Sequence, residues 1–287
     1  MSANEKILVT GATGQLGSLI VQHLRRRAPG AQVIAGGRRT AAAPAGVEFR
    51  TVDYDRPETL EAALDGITRV VLVSGSEVGK RVAQHRNVIE AAARAGVKLL
   101  AYTSILKADS NPMKLAEEHR GTEQVLAGGK VPYIVLRNGW YSENYTGSAA
   151  VAVQSGVLQS ASGKGRISTA TRNDYAEGAA ALVLRDDHRA GQAYELAGST
   201  SFDKHEYAQM LSKASGRRVA VQELSEEAYA QALMKAGLPE PFARILADSD
   251  ARSGDGWLFD DSRTLEQAIG RPTTPMEETV RAALDAG

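Results

Sequence analysis

The segment Thr10-Gly11-Ala12-Thr13-Gly14-Gln15-Leu16-Gly17 follows the apolar run Ile7-Leu8-Val9. Its glycines recur at every third position between a strand-like run and a helix-like one, a spacing suited to holding a diphosphate. Gly11 lets the chain leave the strand sharply. Gly14 carries no side chain, so main-chain N–H groups can approach an anion. Gly17 lets the helix pack close to the sheet with its N-terminus aimed at the negative charge. A second signal lies at the end of the next strand, Ile34-Ala35-Gly36-Gly37-Arg38-Arg39-Thr40, which carries no acid. A carboxylate there would accept from a ribose 2′-hydroxyl and repel a 2′-phosphate, whereas a guanidinium grips the phosphate through paired hydrogen bonds. Arg38 is the main candidate and Arg39 the second. NADPH is therefore the expected cofactor, with NADH the weaker. Asp53, after the third strand, either meets the adenine edge or belongs to a surface turn in Asp53-Tyr54-Asp55. Ser74, Gly75 and Ser76 are small enough for the backbone to run beside a ribose. Thr103 and Ser104 end the fifth strand at the same rim.

The acid–base chemistry is less plain. Many short-chain dehydrogenases place Tyr and Lys four residues apart on a helix, where both groups share one face. None of the nine tyrosines here has lysine four residues later. Tyr133 has Arg137 at that spacing, in a stretch that reads as strand, where such residues are far apart. His119 and Glu123 do have i,i+4 spacing. His119 is suited to proton transfer near neutral pH, or the two form an exposed helix pair. The absent Tyr–Lys pair argues against ordinary alcohol dehydrogenation and sugar epimerisation. The five histidines are scattered without a His-x-x-x-His pair, and there is no cysteine, so no metal is expected.

These residues need a scaffold, and the pattern supplies one. Strand-like runs at 7–10, 32–35, 47–52, 70–74, 99–103 and 133–137 alternate with helical spacing at 16–27, 57–64, 81–95 and 115–127. Alternation of this kind implies an α/β fold, a Rossmann-like parallel sheet with helices on both faces, whose ligands bind outside the carboxyl ends of the strands. The later helices are expected at 174–184, 204–215, 225–236, 240–250 and 275–285, with a strand at 192–196. The division expected is a dinucleotide-binding domain over 1–137 and a smaller α/β substrate lobe over 138–287, some of whose segments rejoin the main sheet. The chain has 287 residues, 43% apolar, and 34 basic side chains balance 34 acidic ones. That balance gives no basic excess for nucleic acid. No apolar run approaches the roughly 18 residues of a membrane helix. The N-terminal residues run into the first strand without a signal-like apolar segment, and with the absence of cysteine this predicts a cytoplasmic protein.

The chain resembles the NmrA-like, atypical short-chain dehydrogenase/reductases, and within them the type 2 NAD(P)H:quinone oxidoreductase branch. Beyond the glycine turn, the likeness is carried by Ser76-Glu77-Val78-Gly79, Gln84-His85-Arg86-Asn87-Val88-Ile89 and Ala101-Tyr102-Thr103-Ser104. The stretch from Leu136-Arg137-Asn138-Gly139-Trp140 to Tyr141-Ser142-Glu143-Asn144-Tyr145 is its most specific part. It continues in Ala170-Thr171-Arg172-Asn173-Asp174-Tyr175, Tyr194-Glu195-Leu196-Ala197-Gly198, Leu246-Ala247-Asp248-Ser249-Asp250 and Leu258-Phe259-Asp260-Asp261-Ser262. The resemblance implies NADPH-dependent reduction of a quinone or other small electron acceptor by direct hydride transfer, with no flavin. It implies Gly11, Ala12, Thr13, Gly14, Gln15 and Leu16 on the diphosphate, Arg38 on the 2′-phosphate and Ser74, Gly75 and Ser76 near the ribose. Tyr141, Ser142, Glu143 and Asn144 would lie beside the nicotinamide, and Arg172 would be another cofactor-side contact. In that mechanism the substrate oxygen takes its proton from water, Tyr141 or His119, while Asn138, Asn144 or nearby N–H groups stabilise it. Trp140 and Tyr141 offer flat surfaces to a flat acceptor. Gly36-Gly37 departs from the bulkier aliphatics of relatives and is expected to loosen the adenosine pocket. The same scaffold carries triphenylmethane dye reductases and non-catalytic NADP(H) redox sensors that bind a regulatory protein, and a homodimer is a further option.

Overall fold

The computed structural model describes residues 5–39 and 44–285. Buried aliphatic runs make β1 (Lys6–Val9), β2 (Gln32–Gly37), β4 (Arg69–Leu72), β5 (Leu99–Ile105) and β6 (Tyr133–Asn138), with the half-exposed β3 (Glu48–Thr51) at one edge. Amphipathic spacing makes the helices between them: α1 (Gln15–Arg27), α2 (Pro57–Leu64), α3 (Arg81–Arg94) and α4 (Lys114–Gly128). Downstream come α5 (Ser142–Thr146), α6 (Ala149–Ser155), β7 (Val157–Ser160), α7 (Arg172–Val183), β8 (Gln192–Leu196), α8 (Lys204–Ser215) and β9 (Ala220–Glu223). The chain closes with α9 (Glu226–Lys235), α10 (Glu240–Gly254), α11 (Thr264–Ile269) and α12 (Met276–Asp285). Among the described residues the main sheet has seven strands in the order β3-β2-β1-β4-β5-β6-β8. The pairs from β3 through to β6 are parallel. The order reverses direction between β1 and β4, so the switch point lies at the carboxyl end of β1, where the glycine turn begins.

The chain divides into two compact units, neither of them continuous. The first comprises residues up to Ala108, Glu118–Asn138 and Arg172–Glu195; the second comprises Asp109–Glu117, Gly139–Thr171 and everything from Leu196. In the first, Leu8, Ile34, Val70, Leu72, Leu100 and Tyr102 of the strands pack on Leu60, Leu64, Val88 and Ile89 of α2 and α3. Segment 172–195 belongs here because α7 lies along α1: His23 Nε2 meets Asn173 Oδ1 at 2.9 Å and Arg27 pairs with Glu177 at 2.7 Å. In the second, Ala149, Val153, Phe202, Tyr207, Leu211, Met276 and Val280 form a separate core, beside a parallel ladder of β7 and β9. Among the described residues no helix is long and apolar enough to cross a membrane.

Candidate functional site

In the first unit the turn from β1 to α1 is built around its glycines. Gly11 has φ +59°, a left-handed conformation that disfavours any side chain. The turn is closed by Gly14 N–H donating to Gly11 O at 2.9 Å and is tied to the sheet by Ala12 N–H donating to Gly36 O at 2.9 Å. A Cβ on Gly17 would lie 2.3 Å from Gly11 O and 2.9 Å from Ala12 Cα, so helix and turn touch backbone to backbone. Gly14 caps α1 without a side-chain acceptor, and the first turn holds no acid while the last holds Arg25, Arg26 and Arg27. The N-terminal N–H groups and the helix dipole therefore meet no carboxylate from the helix's own first turn. This cradle, which a Cβ at Gly17 would destroy, fits a diphosphate.

The flanking loops are tightly held. Tyr54 O–H donates to Val73 O at 3.0 Å and meets Thr10 Oγ1, and Asn87 Nδ2 donates to Tyr54 O at 2.8 Å. Asp53 accepts Asp55 N–H on its own carboxylate at 3.1 Å, and its main-chain N–H donates to Thr59 Oγ1 at 3.0 Å. Asp53 thus takes part in a local turn through one carboxylate oxygen. Gly36 does not loosen its surroundings, contrary to the expectation from its size. A Cβ there would lie 2.8 Å from Val52 Cγ2 and 3.2 Å from Leu8 Cδ1, so neighbouring side chains already fill the space. Arg38 is largely exposed and donates from Nη1 to Glu77 Oε1 at 3.0 Å. Arg39 is also exposed.

Sequence reasoning missed what holds the loop after β4. His85 is fully buried and accepts Gly75 N–H on Nε2 at 3.0 Å. Its Nδ1 lies 3.0 Å from Thr122 Oγ1, which donates onward to Glu118 O at 3.0 Å. Arg81 Nε donates to Gly75 O at 2.8 Å, and Ser74 N–H donates to Thr103 Oγ1 at 2.9 Å. Both polar groups of the Gly75 residue are thus gripped, and Ser74–Ser76 is presented as a shaped edge. Burial, reinforced by the Arg81 charge, pushes the His85 imidazole down to about 3. The folded protein keeps it neutral where the unfolded chain, near 6.5, takes up a proton. The stabilisation is full above pH 6.5 and is lost as pH falls toward 3. Urea midpoints measured across that range should fall less steeply for His85→Gln, whose amide oxygen still accepts from Gly75. Equal slopes for the two proteins would show that His85 carries none of the acid sensitivity.

The proton-transfer candidates separate. His119 is buried, with Nδ1 2.9 Å from Tyr102 Oη, and burial holds its imidazole well below the usual range. It does not pair with Glu123. That carboxylate takes Arg137 Nη2 at 2.7 Å and Ser104 Oγ at 2.6 Å, while Arg137 Nη1 also reaches Glu195 at 2.8 Å. His119 is thus held inside the fold as a hydrogen-bond partner of Tyr102, not as half of an exposed pair with Glu123. Ser104 and Thr103 are likewise committed to protein partners. Tyr133 and Arg137 lie in β6, at opposite ends of a strand segment about 13 Å long. Asn138 ends β6; it is 4% exposed, and among the described residues its Oδ1 has no hydrogen-bond partner. Arg172 begins α7. The pairs 23–173 and 27–177 advance together, so α7 runs parallel to α1 and Arg172 stands level with the middle of α1, about 10 Å of helical rise from its first turn.

In the second unit Tyr141 caps α5 and bridges in parallel to Ala170, with Ser142 N–H donating to Ala170 O at 2.9 Å. Ser142 is buried and its Oγ donates to Thr169 Oγ1 at 3.0 Å, so its hydroxyl serves the fold. Tyr141 and Glu143 are half-buried, and Asn144 is exposed. Under α5 the buried Lys204 pairs with Asp250 and lies 4.7 Å from the centre of the Tyr145 ring. Asp250 also accepts from Ser160 Oγ at 2.9 Å and Ala161 N–H at 2.7 Å. Burial, then the Asp250 charge, keeps the Tyr145 phenol un-ionised. Among the described residues no three His, Asp or Glu side chains gather as a metal site.

The chain is similar to known proteins along nearly its whole length. A family model described as NAD(P)H-binding matches residues 11–186. The chain is 48% identical to quinone oxidoreductase 2 of Escherichia coli over 278 residues, 96% of this chain and 97% of that one. The crystal structure of NADPH-dependent quinone oxidoreductase from Escherichia coli complexed with NADPH superposes with a TM-score of 0.93 at 46% identity, covering 97% of this chain and 99% of that chain. The Citrobacter sp. triphenylmethane reductase complexed with NADP(H) superposes with a TM-score of 0.90 at 37% identity, covering 96% and 99% of the two chains.

Proposed function

The chain belongs to the NAD(P)H-binding, NmrA-like family, and from that premise we propose that it reduces quinones with NADPH by direct hydride transfer, without flavin. The observation that carries the reading is the 48% identity along nearly the whole chain to quinone oxidoreductase 2 of Escherichia coli. When bound, the reduced nicotinamide supplies the hydride. Everything else falls to this chain. Gly11, Ala12, Thr13, Gly14, Gln15 and Leu16 receive the diphosphate, Arg38 takes the 2′-phosphate, and the gripped Ser74–Ser76 edge supports the ribose. Asn138 or nearby main-chain N–H groups stabilise the developing oxygen. Tyr141 and Asn144 orient the acceptor, and Tyr141 or water protonates the reduced oxygen. A quinone is already electrophilic, so the lack of a Tyr–Lys pair is no obstacle. We place the reaction in the cytoplasm, in keeping with a chain that has no cysteine.

The test is to mix the purified protein with NADPH and small quinones and follow loss of reduced-cofactor absorbance. Oxidation of NADPH with quinones is expected, and decolourisation of triphenylmethane dyes alone would favour the sister activity. Binding without turnover on any acceptor would instead favour a redox sensor. Arg38→Ala should raise the KM for NADPH about tenfold or more while leaving that for NADH within about twofold, the scale of one charge-assisted phosphate contact. An equal rise for both cofactors would refute the 2′-phosphate assignment.

A further inference from the structure

We propose that Glu77 is a specificity-determining residue, an internal counter-ion that occupies Arg38 in place of the 2′-phosphate and so sets how strongly the site prefers NADPH over NADH. The inference rests on the assignment of Arg38 to that phosphate. Arg38 follows β2 and Glu77 lies in the loop after β4, and both strands pair with β1 from opposite sides. The ion pair of 3.0 Å therefore spans the carboxyl end of β1, above the glycine turn. The backbone that carries Glu77 is held in place. Its main-chain oxygen accepts Lys80 N–H at 3.2 Å, and the next turn is pinned by Glu118 on Gly79 N–H at 2.9 Å. The other Glu77 oxygen lies 3.5 Å from Lys80 Nζ, so one carboxylate is shared by two cations.

Glu77 Oε1 occupies a guanidinium N–H that a phosphate oxygen would otherwise take. Binding of NADPH must replace it, and the displaced carboxylate then stands near a group of like charge. Binding of NADH leaves the pair intact, or lets Glu77 accept from the ribose 2′-hydroxyl. Glu77 thus lowers affinity for the phosphorylated cofactor and spares the other. Because the pair is largely exposed, it opens at little cost, and its influence is screened by salt.

Calorimetric binding of NADPH and NADH to wild type, Glu77→Gln, Arg38→Ala and the double variant tests this. Glu77→Gln is expected to tighten NADPH about fivefold at low salt, less in 1 M salt, and to leave NADH unchanged or weaker. In the Arg38→Ala background the substitution should lose most of its effect, since there is no guanidinium left to release. Weaker NADPH binding by Glu77→Gln, an equal change for both cofactors, or the same effect with Arg38 absent would each overturn the inference. Failure of Arg38→Ala alone to discriminate between the cofactors would instead overturn the assignment beneath it. Thermal melting of each variant separates these outcomes from simple unfolding.

Discussion

Gly17→Ala is expected to weaken NADPH binding by about 100-fold or more, on the order of 3 kcal/mol. The added methyl would lie 2.3 Å from Gly11 O, 2.7 Å from Gly11 C and 2.9 Å from Ala12 Cα. All three neighbours are backbone, so no rotamer change relieves the clash. Either α1 lifts away from the sheet or the turn deforms, and both moves carry the helix N-terminus off the diphosphate position. Overpacking of this sort also costs folding stability, about 1–3 kcal/mol. Gly14→Ala should be milder, because its Cβ would meet only Gly11 O at 3.3 Å. Gly30→Ala is the control, with nothing within 4 Å of the new methyl. Fluorescence titration with NADPH, alongside thermal melting, reads both effects. A Gly17→Ala protein that bound NADPH as wild type does would remove the close helix–turn contact from the argument altogether.

That turn was legible because its constraints are local. A strand, three glycines and a helix lie within about twenty residues, and the physical reason for each glycine acts on its near neighbours. The strands of the main sheet were equally visible, since a parallel strand buried on both faces must be a continuous apolar run. The elements that escaped are short and partly exposed: α5, α6, β7, β9 and α11. Along β9 no residue is fully buried, so Ala220–Glu223 carries neither alternation nor an apolar run. Strand length alone could not reveal it, because its partner β7 lies some sixty residues earlier in the chain. The site shows the same division. Arg38 could be found from its place after β2, but its pairing with Glu77 joins two loops 39 residues apart. The grip of His85 on Gly75 needs α3 folded back over β4 before imidazole and peptide can meet. His119 and Glu123 misled for a related reason. Their i,i+4 spacing is sound helical geometry, yet α4 packs on the sheet, where Tyr102 and Arg137 claim the two side chains separately. Spacing tells which residues share a face, and only packing tells what that face meets.

Lys204→Met should be the most destabilising single change in the second unit, by about 3–5 kcal/mol, because it strands the Asp250 carboxylate. Lys204 and Asp250 have side-chain exposures of 2% and 8%, so water does not replace the lost ammonium. Asp250 would keep Ser160 Oγ and Ala161 N–H, two neutral donors that cannot balance a full charge. The melting temperature should fall by roughly 10 °C, at a few degrees per kcal/mol for a chain of this size. The double variant Lys204→Met, Asp250→Asn separates charge from packing. Its amide oxygen can still accept from Ala161 while the stranded charge is gone, so it should recover part of the loss. If the double variant melts lower than the single one, the Asp250 charge is not the source of the damage. The consequence for the site runs through Tyr145, whose ring lies against the Lys204 ammonium on the helix that carries Asn144. Apolar methionine fills that space without the cation–π attraction, worth about 0.5–2 kcal/mol. Turnover in the surviving folded fraction should then fall further than NADPH binding, because α5 carries Asn144 whereas the glycine cradle lies at the start of α1.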